Sequence, residues 1–237
     1  MRGTVHAAIG ASAPAGLVLT GNASIPQAVV MSAVSAGFAL LPDIDSPNAL
    51  ASKALGQPVH KAARWLSLAV LESTALPRDA SYVGWMRTKN RDPAHRTLTH
   101  TAVAALLTGL VVYLVALMGG APTGMAAAFG VFLLWPVNRS VAWAAVLGAA
   151  VAAVGAVLLL SPWLLALAAG GGYLSHLLAD ACTTAGVPLA WPVPIKDKRW
   201  WNIRLLGNRI TSGSGRESGP AVGVALASNV LLLFLML

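Results

Sequence analysis

The chain has 237 residues, of which 57% are hydrophobic and only 10% are charged, and its mean hydropathy is +0.70. Soluble domains average about 25% charged residues, so this composition excludes an ordinary soluble protein and predicts a surface that largely faces lipid. We therefore predict an all-α, polytopic membrane bundle with about six to seven membrane helices, built as a single integral membrane domain over residues 1–237.

The formal net charge is +8. Proteins that bind nucleic acid concentrate such charge on a soluble module, and the sequence shows no such module, so no nucleic-acid partner is predicted. Lys and Arg crowd the cytoplasmic loops of membrane proteins, which accounts for the excess. The same charge is compatible with anionic lipid head groups as partners.

Seven apolar runs follow one another along the chain, at residues 5–20, 25–41, 101–118, 122–135, 141–160, 162–182 and 220–237. Pro14 interrupts the first run, and Pro42 ends the second. A helix needs about 20 residues to cross the roughly 30 Å hydrocarbon layer. Seven crossings are the simplest count, and some of the shorter runs are expected to be tilted, half-buried or re-entrant.

Two polar stretches, 46–94 and 183–218, carry many of the basic residues and are placed on the cytoplasmic face. Within the first stretch, residues 59–72 show apolar residues at helical spacing with basic residues on another side. This pattern is typical of a helix on the membrane surface, and packing on the protein body explains it equally well. His60 has no partner in the sequence and is interpreted as a solvated surface residue.

This topology carries most histidines and three of the six aspartates to one membrane face. The second and sixth runs end on the cytoplasmic side, and the third begins there. This topology follows from the basic loops alone, so the convergence of these side chains gives independent support for a site. The candidate ligands are His6, Asp43, Asp45, His95, His100, His176 and Asp180.

The motif HRTLTH places His95 and His100 at the threshold of the third run. A spacing of five does not align two side chains on a helical face. We therefore expect one histidine on the loop that enters the helix and one on its first turn. Taken alone, the pair suits loop and cap chemistry as well as metal ligation.

Two further pairs carry their own alternatives. Asp43 and Asp45 either end the helix beside Pro42 or hold a cation. The second interpretation is supported because two carboxylates this close repel one another unless a cation lies between them. His176 and Asp180 are four residues apart, so a helix places both on one face. They either hold one ion together or form a hydrogen-bonded pair that stabilises helix packing. Ionisable groups in membrane segments are costly and usually functional.

Seven candidates exceed the three or four ligands of one tetrahedral zinc ion. The surplus predicts either two or more divalent ions, or residues among the seven that orient the ligands or act as bases. Mixed imidazole and carboxylate donors favour zinc, with iron or manganese as alternatives. Such centres are typical of phosphoester hydrolysis, with Asp45 or Asp180 as the proton acceptor. Arg96 is placed either to bind a phosphate through its guanidinium or to act as an ordinary anchor at the membrane interface.

The second polar stretch combines aromatic and basic residues that could seat lipid head groups near the site. Interfacial aromatic belts show the same composition without a substrate. The residues concerned are Trp191, Lys196, Lys198, Arg199, Trp200 and Trp201.

The single cysteine, Cys182, excludes an intramolecular disulfide.

Four motif blocks resemble those of the YdjM-like proteins, which are described as inner-membrane, metal-dependent hydrolases. The blocks are HAAIGA at 6–11, LPDIDSP at 41–47, HRTLTH at 95–100 and GYLSHLLADACTTAGVPLAWP at 172–192. The resemblance implies a multi-pass inner-membrane protein and metal ligation at the seven candidates above. The His/Asp pattern is more faintly similar to zinc-dependent phospholipase C, which implies a phospholipid or another phosphoester as substrate. That family has Glu as its final acidic ligand, where this chain has Asp180.

Two functions are compatible with the sequence. The favoured one is a membrane-embedded hydrolase that acts on a lipid phosphoester through a metal-activated water at the cytoplasmic face. The alternative is a non-catalytic metal-binding membrane protein, either a transporter or a structural or regulatory partner. Transporters place ionisable residues near mid-membrane, and the runs at 101–118, 141–160 and 220–237 contain none, so transport is disfavoured. The sequence does not predict an oligomeric state.

Overall fold

The computed structural model describes residues 2–80, 83, 92–137, 142–205, 219, 223 and 227. In this part of the chain the secondary structure is helical apart from two isolated β-bridges, which confirms the predicted all-α bundle. The seventh predicted run, 220–237, lies almost wholly outside the described residues.

The α-helices of the described part are numbered in chain order. They are α1 (Gly3–Ser12), α2 (Ala15–Leu19), α3 (Ile25–Phe38), α4 (Leu50–Leu55), α5 (Gln57–Thr74), α6 (Ala102–Leu117), α7 (Gly120–Phe132), α8 (Ala142–Leu159) and α9 (Pro162–Ala181). Three short 3-10 turns lie between them, at Leu41–Asp45, Leu98–His100 and Trp135–Val137. The predicted break at Pro14 separates α1 from α2, as expected.

Helix α3 has clear local signals at both ends. The Ser24 hydroxyl accepts from the Gln27 backbone N–H, and the Gln27 side chain accepts from the Ser24 N–H, which forms a capping box. The helix ends at Phe38, and Pro42 follows in the 3-10 turn. Since proline lacks an N–H and restricts the residue before it, the chain leaves the α-helical path just before the acidic motif.

Three helical segments among the described residues are long and apolar enough to cross a membrane, namely Ile25–Asp45, Gly120–Val137 and Pro162–Ala181. Shorter apolar helical segments occupy Gly3–Leu19, Ala102–Leu117 and Val146–Leu159. These segments confirm a helical membrane protein. The number of crossings and the side of the membrane on which each loop lies stay predictions.

Helix α3 forms the centre of the bundle and packs against α1, α7, α8 and α9. Glycines allow two of these contacts to be very close. A Cβ at Gly37 would overlap the backbone carbonyl of Gly130 in α7, and a Cβ at Gly172 in α9 would overlap the carbonyl oxygen of Ser35 in α3. Helices in lipid associate through van der Waals packing of small residues, so these glycines fix where the ends of α3 and α9 lie.

Helix α5 packs on the protein body through its contact with the turn Leu41–Asp45. The interpretation of His60 as a solvated residue is wrong, because this side chain is only 5% exposed. Its Nδ1 lies 3.0 Å from the Ile44 carbonyl oxygen, which a ring N–H can bond. The opposite side of α5 exposes Trp65 and Leu66. Sequence alone missed the contact because it is made with a turn that precedes the helix.

Replacing Gly172 by Ala is expected to destabilise the contact between α3 and α9, because the new methyl group would overlap Ser35. Overpacking of this kind costs about 1–3 kcal/mol, so thermal unfolding of the full-length protein in detergent should occur at a lower temperature. Gly171→Ala is the matched control, since no neighbouring atom of the described residues lies within 4 Å of a Cβ there. Equal melting temperatures for the two variants would contradict the close approach.

Candidate metal centre

Four chain segments converge at one end of the bundle. α1 begins there, α3 runs there into the turn Leu41–Asp45, the turn Leu98–His100 leads into α6, and α9 ends there at Ala181. Contacts among α1, α3, α9 and the two turns hold these ends together. The structure brings all seven candidate ligands into this region, namely His6, Asp43, Asp45, His95, His100, His176 and Asp180.

Four of these side chains direct one donor atom each toward a common point. They are Asp43, His100, His176 and Asp180, which we call the four-donor set. The Nε2 atom of His100 lies 3.4 Å from Asp43 Oδ1 and 3.7 Å from Asp180 Oδ2. The Nε2 atom of His176 lies 3.6 Å and 3.7 Å from the same two oxygens.

These separations fit donors that share one tetrahedral ion. Bonds of about 2.0–2.2 Å to zinc place neighbouring ligands about 3.3–3.6 Å apart, whereas a direct N–H···O bond would be about 2.9 Å. Within the described residues, the buried Nε2 atoms of His100 and His176 have no hydrogen-bond partner. Buried polar atoms are normally satisfied, so the donor set is suited to hold a cation.

Hydrogen bonds at the Nδ1 atoms of His100 and His176 select the tautomer that a metal ion needs. His176 Nδ1 lies 2.7 Å from the Ala39 carbonyl oxygen, so it carries the proton and donates. The Thr99 hydroxyl donates to Asp45 Oδ2 at 2.8 Å, so its oxygen accepts from His100 Nδ1 at 3.0 Å. Both Nε2 atoms therefore keep a lone pair that points into the four-donor set.

Asp45 lies beside the four-donor set and is fully buried, with both oxygens engaged. His95 Nδ1 donates to Oδ1 at 2.9 Å, and Thr99 donates to Oδ2. Burial disfavours the charged form of His95, but the hydrogen bond and the charges of Asp45 and Asp43 outweigh it and raise the pKa of this imidazole. His95 is 32% exposed and marks the accessible edge of the centre.

Asp45, His95 and His100 form a second group whose atoms lie close enough to share an ion. His100 belongs to both groups, and its Nδ1 is bonded to Thr99. One Nε2 lone pair serves a single ion, so the two groups cannot both use it. The structure therefore defines one four-donor set, and the number of ions stays a prediction.

Arg96 contacts the four-donor set through Asp180. Its Nη2 lies 2.8 Å from Asp180 Oδ2, and its Nη1 donates to the Thr183 hydroxyl at 3.0 Å and to the Gly186 carbonyl at 3.3 Å. The residue has a positive φ of 61°, which is uncommon outside glycine. The guanidinium offsets one of the two carboxylate charges in the four-donor set, and its predicted role in gripping a phosphate is untested.

His6 is fully buried just outside the four-donor set. Its ring stacks on that of His176, with centroids 3.6 Å apart and planes inclined by 15°. Its Nε2 lies 3.5 Å from Asp180 Oδ1, the oxygen that the four-donor set does not use. His6 thus fixes the plane of one imidazole donor, but it belongs to neither group of atoms that lie close enough to share an ion, so its role as a ligand stays a prediction.

Sequence reasoning missed two residues that position the donors. Thr99 links Asp45 to His100, and the Tyr173 hydroxyl donates to the Thr99 carbonyl at 2.6 Å. Thr99 lies inside the HRTLTH motif, so its place between two histidines was an available signal. Tyr173 lies on the same block as His176, but nothing in the sequence indicates its contact with a residue 74 positions away.

The aromatic and basic residues of the second polar stretch form a structured loop beside α5. The rings of Trp191 and Trp200 stack with centroids 5.3 Å apart, and the Lys196 ammonium lies 5.1 Å from the Trp201 ring. The Trp200 backbone N–H donates to Asp79 and its indole N–H donates to the Thr74 hydroxyl, which ties the loop to the C-terminal end of α5. A role for this loop in seating lipid head groups is untested.

Replacing Thr99 by Val is expected to weaken divalent-ion binding about 10–100-fold, the usual effect of losing a residue that orients a ligand. The substitution removes the acceptor for His100 Nδ1 and one donor to Asp45. Thr99→Ser keeps the hydroxyl and should retain the affinity. Competition of the purified full-length protein with a chromophoric zinc chelator measures both, and equal affinities would rule out this positioning role.

Comparison with known proteins supports the membrane assignment. The family model described as YdjM inner membrane protein matches residues 1–237, which is the whole chain. No curated protein and no solved structure gives a significant match, so the fainter similarity to zinc-dependent phospholipase C stays a prediction. Because the match extends over the apolar helices and over every residue of the four-donor set, we conclude that the chain belongs to the YdjM inner membrane protein family.

Proposed function

We propose that this protein is a membrane-embedded, metal-dependent hydrolase that cleaves a phosphoester of a membrane lipid. The observation that carries the proposal is the convergence of two imidazole Nε2 atoms and two carboxylate oxygens in the four-donor set. Two of these atoms have no hydrogen-bond partner among the described residues. The set lies at one end of an apolar bundle, where lipid head groups would be within reach.

The four-donor set would hold one divalent cation. Zinc suits two imidazoles and two carboxylates, and iron or manganese would accept the same donors. When bound, such an ion acts as a Lewis acid and lowers the pKa of a coordinated water, which is the chemistry that phosphoester hydrolysis requires. His176 and His100 are oriented for this by the Ala39 carbonyl and by Thr99.

The centre has one accessible edge among the described residues. Asp43 is 19% exposed and His95 is 32% exposed, whereas His100, His176 and Asp180 are buried. A lipid phosphoester and the attacking water would therefore approach past Asp43 and His95.

Of the two carboxylates predicted to accept the proton, Asp45 is the better placed, and it would act through the imidazole of His95. Its carboxylate is bonded to His95, which lies at the accessible edge, so a proton taken by the imidazole would be stabilised by the carboxylate behind it. Asp180 is engaged by Arg96 and directs the same oxygen into the four-donor set. In this proposal Asp180 serves as a ligand, and Arg96 is a positioning residue that also adds positive charge near the phosphoester.

Replacing His100 by Ala should remove metal and turnover together. Affinity for the divalent ion should fall by more than the factor of about 10–100 expected when a residue that orients a ligand is lost, because this substitution removes a donor atom itself. The measurement is metal content of the purified full-length protein, together with hydrolysis of a panel of phospholipids with and without a chelator. Ser175→Ala is the control, since this buried neighbour of His176 bonds only within α9, to the Gly172 carbonyl.

Three outcomes separate the alternatives. Loss of both metal and hydrolysis in His100→Ala, with both retained in Ser175→Ala, supports the hydrolase. Full metal occupancy in His100→Ala would contradict the four-donor set. Stoichiometric metal with no cleavage of any phospholipid by the unmodified protein would instead support the non-catalytic metal-binding function.

A further inference from the structure

A groove of about 650 Å³ opens on the outside of the bundle between α3, α6 and α7. Phe38 and Val112 are buried and form its floor, while Val111 and Met125 are exposed and form its two walls. A groove of this volume is in the range that binds single small molecules.

The lining of the groove is suited to hydrocarbon. Its one hydroxyl belongs to Thr108 and is already bonded, since it donates to the Ala104 carbonyl at 2.8 Å. The remaining lining side chains are apolar and include Met118 and Met125 at the rim. Methionine is flexible and adapts to irregular ligands, whereas helix docking in membranes favours small residues. The surface therefore fits a flexible chain better than a packed helix.

One end of the groove lies toward the proposed metal centre. Leu41 lines this end, and Asp43 follows it two residues later in the same 3-10 turn. α6 forms one wall of the groove and starts directly after His100. From Leu107 to Val115 the lining extends about 12 Å along α6, at the helical rise of 1.5 Å per residue. Asp43 is also the most exposed member of the four-donor set.

We propose that this groove holds an acyl chain of the lipid substrate, with the phosphoester at the Asp43 edge of the four-donor set. The inference rests on the proposed hydrolase function and adds the place on the protein that binds the hydrocarbon chain of the lipid substrate. In this arrangement Leu41 lies between the part of the site that holds the acyl chain and the part that holds the lipid head group. Substrate would then reach the centre sideways from the bilayer, without leaving it.

Photo-crosslinking tests occupancy of the groove without requiring turnover. The full-length protein is reconstituted in phosphatidylcholine vesicles that contain a phosphatidylglycerol with a diazirine on one acyl chain. Adducts are mapped by mass spectrometry. The groove should carry several-fold more adducts than the exposed face of α8 around Val151, and Val111→Trp or Met125→Trp should reduce groove adducts several-fold. Val151→Trp is the matched control, since Val151 is 62% exposed and Val111 is 57% exposed.

A second measurement connects the groove to catalysis. With metal-loaded protein, Val111→Trp should raise KM several-fold more for a long-chain phospholipid than for a water-soluble phosphoester, while Val151→Trp should change neither KM. Adducts spread evenly over α6, α7 and α8 would overturn the groove proposal, and so would a complete lack of adducts in the groove. Failure of the unmodified protein to cleave any phosphoester would overturn the hydrolase instead, with the crosslinking result unaffected.

Discussion

Burial of carboxylates in an apolar bundle is the constraint on which the rest of this structure depends. Asp45 and Asp180 are almost fully buried, and Asp43 is mostly so. Removing such groups from water costs several kcal/mol per ion unless opposite charge or hydrogen bonds compensate. His95 and Thr99 compensate Asp45, and Arg96 compensates Asp180. Asp43 is left facing two imidazoles that offer it lone pairs, and a divalent cation would satisfy all of these groups together.

The helices serve this centre through their ends. α3 and α9 approach closely because Gly172 leaves room for the Ser35 carbonyl; the turn after α3 supplies Asp43, and the C-terminal part of α9 supplies His176 and Asp180. The carbonyl of Ala39, just beyond α3, orients His176 on α9. A small change in helix spacing would therefore move both a donor and the group that orients it. Tight packing in the bundle and precise donor geometry are two aspects of the same contact.

Much of this arrangement could be predicted from the sequence. Apolar runs and proline breaks define the helices, and the predicted alternation of crossings would carry His95, His176 and Asp43 to one face. These features are local or follow from counting crossings. The spacing of four between His176 and Asp180 also predicts that both lie on one helical face, and both belong to the four-donor set.

Contacts between distant segments could not be predicted in this way. His60 is buried because α5 folds back onto a turn, and Arg96 contacts residues beyond the end of α9. Thr99 bonds Asp45 across 54 positions. Such pairings depend on how the helices pack, which periodicity does not encode. The groove beside Leu41 is a further example, since its lining residues are ordinary apolar positions until three helices are placed together.

The most direct test of the central claim is an anomalous-scattering map of the full-length protein crystallised with zinc. The account predicts a peak enclosed by Asp43, His100, His176 and Asp180, at about 2.0–2.2 Å from each donor atom. A peak bound elsewhere, or one whose protein ligands include neither His100 nor His176, would contradict it.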